Sequence, residues 1–294
     1  MVAAPFEYAR VGSYDDAVQA LSAYDEDAKL LAGGQSLVPM LNLRLVRPTV
    51  LIDINGADAR APHLADGELV LPALTRHVRL TTDPVVSGHA PLLSAAVRYV
   101  GNVRVRNRGT IGGSLAHADP TGELSCAALA LGASVIVYGP EGARVIPAGE
   151  LFTGFLGTQL APQEVIGEVR VPAWRPPYGW SFQEVARRAS DFAVVAVAAS
   201  VQADPGRGLI RQARVGLAGV ADRVVLADES AVGSLVGTRP TDAELAGVAR
   251  AVAEATSPDS DVHASGAYRK RLVAVLTRRA LAEAISRADE AEAA

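Results

Sequence analysis

The chain has 294 residues, 49% of them hydrophobic and 20% charged, with a formal net charge of -4. That much apolar material excludes a disordered chain, and the length fits two or three domains at roughly 100–200 residues each. The acidic balance, with no basic stripe interleaved with aromatics, excludes a general attraction to nucleic acid.

The N-terminus, Met1 to Glu7, lacks a charged region followed by an apolar run, and no stretch of about 18 uncharged apolar residues occurs, so the expectation is a cytoplasmic chain with no signal peptide and no membrane span. Ser13 reads as the cap of a short helix with Asp15 and Asp16 in its first turn. Lys29-Leu30-Leu31-Ala32 reads as a short buried strand that runs into Gly33-Gly34. Helical spacing follows from Pro39 to Leu45, then a second strand over Val50–Ile54, closed by Asn55-Gly56. Residues 1–58 thus form a small β-α-β-like unit.

A second unit, residues 59–172, opens with a strand-like run from Glu68 that turns near Leu74-Thr75. Pro91 starts a helix over Leu92 to Val100, and a Gly- and Arg-rich stretch runs from Gly101 to Gly113. An apolar helix, Leu124 to Leu131, carries the single cysteine, Cys126, which reads as a small buried hydrophobe. One thiol closes no intrachain disulfide and holds no iron–sulfur cluster. Strands follow near Ala133–Tyr138 and Glu164–Val171, and three prolines between Pro172 and Pro177 read as a linker. In the third unit, residues 173–294, three long strands are expected at Trp180–Arg188, Phe192–Gln202 and Gln212–Val220, as an antiparallel sheet. Thr241 and Glu244 make a capping box for a helix to Ala255. A last helix covers Ala267 to Ala288, with Tyr268, Leu272, Val275, Leu276 and Leu281 as its apolar face and its Arg and Lys residues as a solvated one.

Three constellations can carry chemistry. In Ala32-Gly33-Gly34-Gln35-Ser36-Leu37 a strand delivers the chain into two glycines, whose backbone can turn through positive φ and present consecutive N–H groups to an anion. Thr110-Ile111-Gly112-Gly113-Ser114 has the same logic. Each alone also fits an ordinary Gly-Gly turn; together, facing each other, they can hold a pyrophosphate without a lysine. Neither is a Walker A loop or a G-x-G-x-x-G fingerprint. The third, His117-Ala118-Asp119-Pro120-Thr121-Gly122-Glu123, offers carboxylates to sugar hydroxyls. The five scattered histidines do not make a metal site, and no G-x-S-x-G elbow supports a hydrolase.

Ala-Gly-Gly-Gln-Ser at 32–36, Arg106 through Ser114 and His117-Ala118-Asp119-Pro120 together resemble the FAD-binding medium subunit of molybdenum hydroxylases, the family of the carbon monoxide dehydrogenase medium subunit and the xanthine dehydrogenase flavin domain. The resemblance continues through Phe152-Thr153-Gly154-Phe155, Arg187 to Ala193 and Tyr268-Arg269-Lys270-Arg271, nearly the whole chain. It implies an α+β fold: two subdomains of the vanillyl-alcohol-oxidase type around FAD, then a C-terminal three-stranded antiparallel sheet with a helix bundle. It implies that Ala32, Gly33, Gly34, Gln35, Ser36 and Leu37, with Thr110, Ile111, Gly112, Gly113 and Ser114, are the pyrophosphate loops. Asn102, Arg106 and Gly109 pack on the second loop, and Leu74 and Thr75 form a turn near the cofactor. Asp119 and Glu123 match acidic positions near its sugar-alcohol chain and adenosine part; the family usually has Asp where Glu123 stands. Asp191-Phe192 matches the motif reaching the isoalloxazine, where some relatives carry Tyr in place of Phe192. Arg106 and Arg108 also read as surface charges, and Phe192 as core.

The resemblance implies an FAD-dependent oxidoreductase subunit working with a large molybdopterin-binding subunit and a small subunit carrying two 2Fe–2S clusters, a heterotrimer that can dimerise. This chain takes electrons from the clusters onto FAD and passes them to an external acceptor, with no catalytic side chain of its own for the primary substrate and no metal. Two other readings stand beside it: a free-standing FAD-dependent oxidoreductase acting directly on a small molecule, and a binding or assembly module that has lost its flavin.

Overall fold

The structure, a computed structural model, describes residues 2–24 and 27–293. Ser13 caps the first helix, Tyr14–Tyr24, by accepting from the Asp16 N–H at 3.0 Å. The helix packs on a three-stranded parallel sheet with Val50–Asp53 between Glu7–Arg10 and Ala28–Leu31. The edge strand Glu7–Arg10 is solvent-exposed and carries no apolar alternation, so the sequence pattern does not reveal it. The helix expected from Pro39 begins earlier, at Leu37, and ends at Asn42. Pro39 sits in its first turn, where its missing N–H costs nothing.

The second unit is a five-stranded antiparallel sheet, ordered His63–Ala65, Glu68–Pro72, Val165–Pro172, Ser134–Gly139, Gly142–Pro147. The Gly- and Arg-rich stretch Gly101–Gly113 is largely helical. Asn102 caps a helix Val103–Arg108, and Thr110 caps a second, Ile111–His117, so Gly112 and Gly113 lie inside a helix rather than in a turn. The expected helix Leu92–Val100 is shorter, Pro91–Ala96.

Three long antiparallel strands, Tyr178–Ala186, Ala193–Ala203 and Ile210–Ala218, form the third unit, with a two-residue fourth strand, Val225–Leu226, added at the edge. Alternate residues face opposite ways. Val195, Val197 and Ala199 pack with Asp242–Glu254 and Gly266–Ala293, while Ala196 and Ala198 face the second unit. There they meet the helix Glu123–Leu131, buried from Leu124 to Leu131. Gly216 lets the helix close on the sheet: a side chain there would strike the Cys126 carbonyl. Cys126 is fully buried and burial pushes its thiol pKa up. The Thr241–Glu244 capping box is present. The last helix departs from expectation. Tyr268 and Val275 are exposed, whereas Arg269 is buried, donating to the carbonyls of Val194 at 2.5 Å and Gly219 at 3.1 Å and to Asp261 at 2.6 Å. Among the described residues no helix is long and apolar enough to cross a membrane.

Candidate functional site: a cavity between two glycine segments

A cavity of about 990 Å³ opens where the three units meet. Its wall includes both glycine segments, the Asp119–Glu123 turn and, from the third unit, Asp191 and Phe192. The strand Ala28–Leu31 delivers the first segment into it. Gly34 takes φ +73°, a left-handed conformation that suits glycine. Gly33 has a different constraint: a Cβ there would collide with the Arg108 carbonyl and lie 2.8 Å from the Gly109 Cα. The two segments therefore touch backbone to backbone at Gly33.

The partners of the amides separate the two segments. The N–H groups of Gly33, Gly34, Gln35, Ser36 and Leu37 donate to no protein acceptor among the described residues. Five orphan donors on one cavity wall are the kind of group an anion-binding concavity is built from. In the second segment the N–H groups from Ile111 to Ser114 are occupied. Ile111 donates to the Thr75 carbonyl at 3.0 Å, Gly112 to Ala73 at 2.9 Å, and Ser114 to Thr110 at 3.0 Å, while Gly113 donates to the Thr110 hydroxyl at 3.2 Å. Gly112 is glycine because a Cβ would come 2.5 Å from that of Ala73. Two facing nests thus become one nest and a buttress. Of the buttress, Thr110, Gly112, Gly113 and Ser114 line the cavity, and Ser114 adds a hydroxyl there.

Two residues that sequence reasoning missed hold the segments together. The Asn55 side chain donates to the Ala32 carbonyl at 2.9 Å and to Asp53 at 2.6 Å; Asp53 also accepts from Tyr8 at 2.5 Å. Arg76 donates to Asn55 Oδ1 at 2.6 Å and, with its other terminal nitrogen, to the Arg108 carbonyl, the oxygen that Gly33 faces. Asn55 had read only as the end of a unit. Its signal was its place one strand over from Ala32, which needs the sheet order to be seen.

Of the other expected site residues, Leu74, Asn102, Gly109, Asp119 and Glu123 line the cavity, as do Ala32 through Leu37, Thr110 and Gly112 through Ser114. Thr75, Arg106 and Ile111 do not. Thr75 is buried with its hydroxyl unpartnered, and Ile111 is fully buried. Arg106 is no surface charge: it donates to the carbonyls of Val100 at 2.9 Å and Gly101 at 2.8 Å, shaping the turn into Asn102. Asp119 accepts from the Thr121 N–H at 2.8 Å and hydroxyl at 2.7 Å. Asp191 pairs with Arg187 at 3.3 Å and Arg188 at 3.2 Å. Phe192 is 73% exposed, so it is not core. Burial, reinforced by Asp119, pushes the Glu123 carboxyl up to about 7. Behind it, burial and then the neighbouring Glu123 push Glu184 up to about 8, and one Glu184 oxygen is buried without a partner. Glu184 lies within the strand Tyr178–Ala186, and no motif marks it.

Two family models match. Residues 4–174 match the FAD binding domain in molybdopterin dehydrogenase, and residues 180–284 match the CO dehydrogenase flavoprotein C-terminal domain. The 6-hydroxypseudooxynicotine dehydrogenase complex subunit alpha of Paenarthrobacter nicotinovorans is 38% identical over 288 residues, covering 96% of this chain and 95% of that one. The nicotine 6-hydroxylase medium subunit of the same organism is 39% identical over 283 residues, covering 95% and 97%. Among solved structures, the carbon monoxide dehydrogenase of Hydrogenophaga pseudoflava superposes with a TM-score of 0.94 at 34% identity, covering 98% of this chain and 100% of the matched one.

Proposed function

The chain belongs to the family of FAD-binding medium subunits of molybdenum hydroxylases, and on that premise we propose that it relays electrons from a partner's iron–sulfur clusters through FAD to an external acceptor. The partners are a large molybdopterin-binding subunit and a small 2Fe–2S subunit, in a cytoplasmic complex. Residues 1–58, 59–172 and 173–294 are its three folding units. FAD is the cofactor of this family, and it supplies the redox chemistry when bound.

The observation that carries the reading is the row of five unpartnered amides at Gly33–Leu37 in a cavity large enough for a dinucleotide. These amides would hold the pyrophosphate, since charge-assisted N–H bonds to anionic oxygens are the strong kind. Ser114 would add a hydroxyl from the opposite wall. Leu74 and Gly109 shape the cavity beside them, and Thr75, Ile111 and Arg106 support it from behind. Asp119 and Glu123 would meet sugar hydroxyls. Asp191 and Phe192 would cover the isoalloxazine, Phe192 by stacking, since it has no hydroxyl to donate. Every one of these roles is binding, orientation or exclusion of water; none moves a proton on the primary substrate.

The lone cysteine supports a partner that brings the clusters. The relatives' names, a complex subunit and a medium subunit, favour the same reading over a free-standing enzyme. Purification of the tagged chain from its native host, with flavin, iron and molybdenum analysis, tests it. Two co-purifying chains with iron and molybdenum are expected. A yellow chain that stays alone and turns over a small molecule would overturn it.

A further inference from the structure

His77 is a buried residue that the sequence left without a role. It is 3% exposed, on the cavity wall beneath the second glycine segment. Its Nε2 lies 3.0 Å from the Thr110 carbonyl oxygen and 2.9 Å from the Ser114 hydroxyl. Among the described residues its Nδ1 has no partner, and it packs against Gly109, where a Cβ would come within 2.7 Å of it. Burial pulls its pKa down to about 4, helped by the charges of Arg106 and Arg76, so at neutral pH the ring holds one proton.

The contacts decide which nitrogen carries it. With the proton on Nδ1, Nε2 could accept from the Ser114 hydroxyl, but a buried donor would have no acceptor and the Nε2 lone pair would also face the Thr110 carbonyl oxygen. Orphaned buried donors are rarer than under-satisfied acceptors. With the proton on Nε2, the Thr110 carbonyl accepts it, and only an acceptor nitrogen is left unpaired. The proton therefore sits on Nε2. Ser114 then cannot donate to that nitrogen; its oxygen can only share the Nε2–H. No other acceptor for the Ser114 O–H is found among the described residues, which leaves it the cavity that Ser114 lines.

We propose that His77 is a positioning residue that, through its Nε2–H, fixes Ser114 as an obligate donor into the cavity, toward an anionic oxygen of the bound nucleotide. The inference rests on the FAD reading for the identity of that nucleotide. It explains how a segment whose amides from Ile111 to Ser114 are spent still contributes to the site.

Two measurements test it. In flavin-free chain labelled with nitrogen-15 in its five histidines, H77Q assigns the His77 ring signals. The expected signals are those of an Nε2–H tautomer that does not titrate between about pH 5 and pH 8. An Nδ1–H tautomer or an imidazolium would overturn the proposal, whether or not FAD binds. In FAD titrations, H77Q, which keeps a donor, is expected to stay within about threefold of wild type. H77F is expected to lose about tenfold, as is S114A, and the double variant H77F/S114A no more than S114A alone. Losses that multiply in the double variant would overturn the positioning role. A wild-type chain that binds no FAD would instead refute the functional reading and leave the tautomer result standing.

Discussion

Gly33 is the point where the account can be tested by one methyl group. In Gly33→Ala the new Cβ would overlap backbone atoms, the Arg108 carbonyl and the Gly109 Cα at 2.8 Å, not the end of a flexible side chain. Relaxing a carbon–carbon contact from 2.8 Å to the ordinary range near 3.5 Å moves the segments apart by about 0.7 Å. A hydrogen bond at about 2.9 Å stretched by that amount is lost. If two of the five Gly33–Leu37 amides lose a phosphate oxygen, at about 1.5 kcal/mol each for a charged acceptor, the sum is about 3 kcal/mol, or roughly a hundredfold in Kd. Gly34→Ala is the control. Its φ of +73° costs about 1–2 kcal/mol of folding stability, but its Cβ would meet only the side chains of Val38 and Leu31, at 3.2 and 3.3 Å. Fluorescence titration of flavin-free protein reads Kd, and thermal melts read stability. Gly33→Ala should lose affinity and Gly34→Ala mainly stability. Gly33→Ala binding FAD within threefold of wild type, or Gly34→Ala binding worse than it, would refute the reasoning.

Arg76→Met should lower stability by about 1–3 kcal/mol by stranding Asn55 Oδ1 and the Arg108 carbonyl, and weaken FAD binding with it; a urea titration and a flavin titration check both. Glu123 and Glu184 both have folded-state pKa values above their ordinary one, at about 7 and about 8, so each is more readily charged in the unfolded chain. Their contribution to stability is therefore complete below about pH 4.5 and is lost as pH rises through about 7 to 8. The urea midpoint of flavin-free protein should fall across that window, and E184Q should flatten the fall; an unchanged slope would contradict the pairing. Thr241→Ala should cost about 1 kcal/mol by removing the capping box, with FAD affinity unchanged, since the helix it caps lies on the far face of the third sheet.

The helices with strong local signals were legible in the sequence. Ser13, Thr241 and the apolar run at Leu124–Leu131 each declared an element by capping or burial alone. What failed had a local pattern that tertiary contacts override. Thr110-Ile111 looked strand-like because β-branched residues favour strands, yet Thr110 is a helix cap and Ile111 is simply buried. Gly-Gly at 112–113 looked like a turn, and is a helix start pressed against Ala73. The cavity's outline was readable, because most matched motif residues do line it. Its internal wiring was not. Asn55, Arg76, His77 and Glu184 reach Ala32, Asn55, Ser114 and Glu123 respectively, between 21 and 61 positions away in sequence, and no spacing rule announces such contacts.

The central claim is that this chain passes on electrons received from a partner's clusters. The direct measurement is anaerobic mixing of the FAD-loaded chain with its small iron–sulfur subunit, reduced beforehand and freed of reductant, while flavin and cluster absorbances are followed together. The flavin is expected to bleach as the clusters reoxidise. Clusters that stay reduced beside an oxidised flavin in the assembled complex would contradict it.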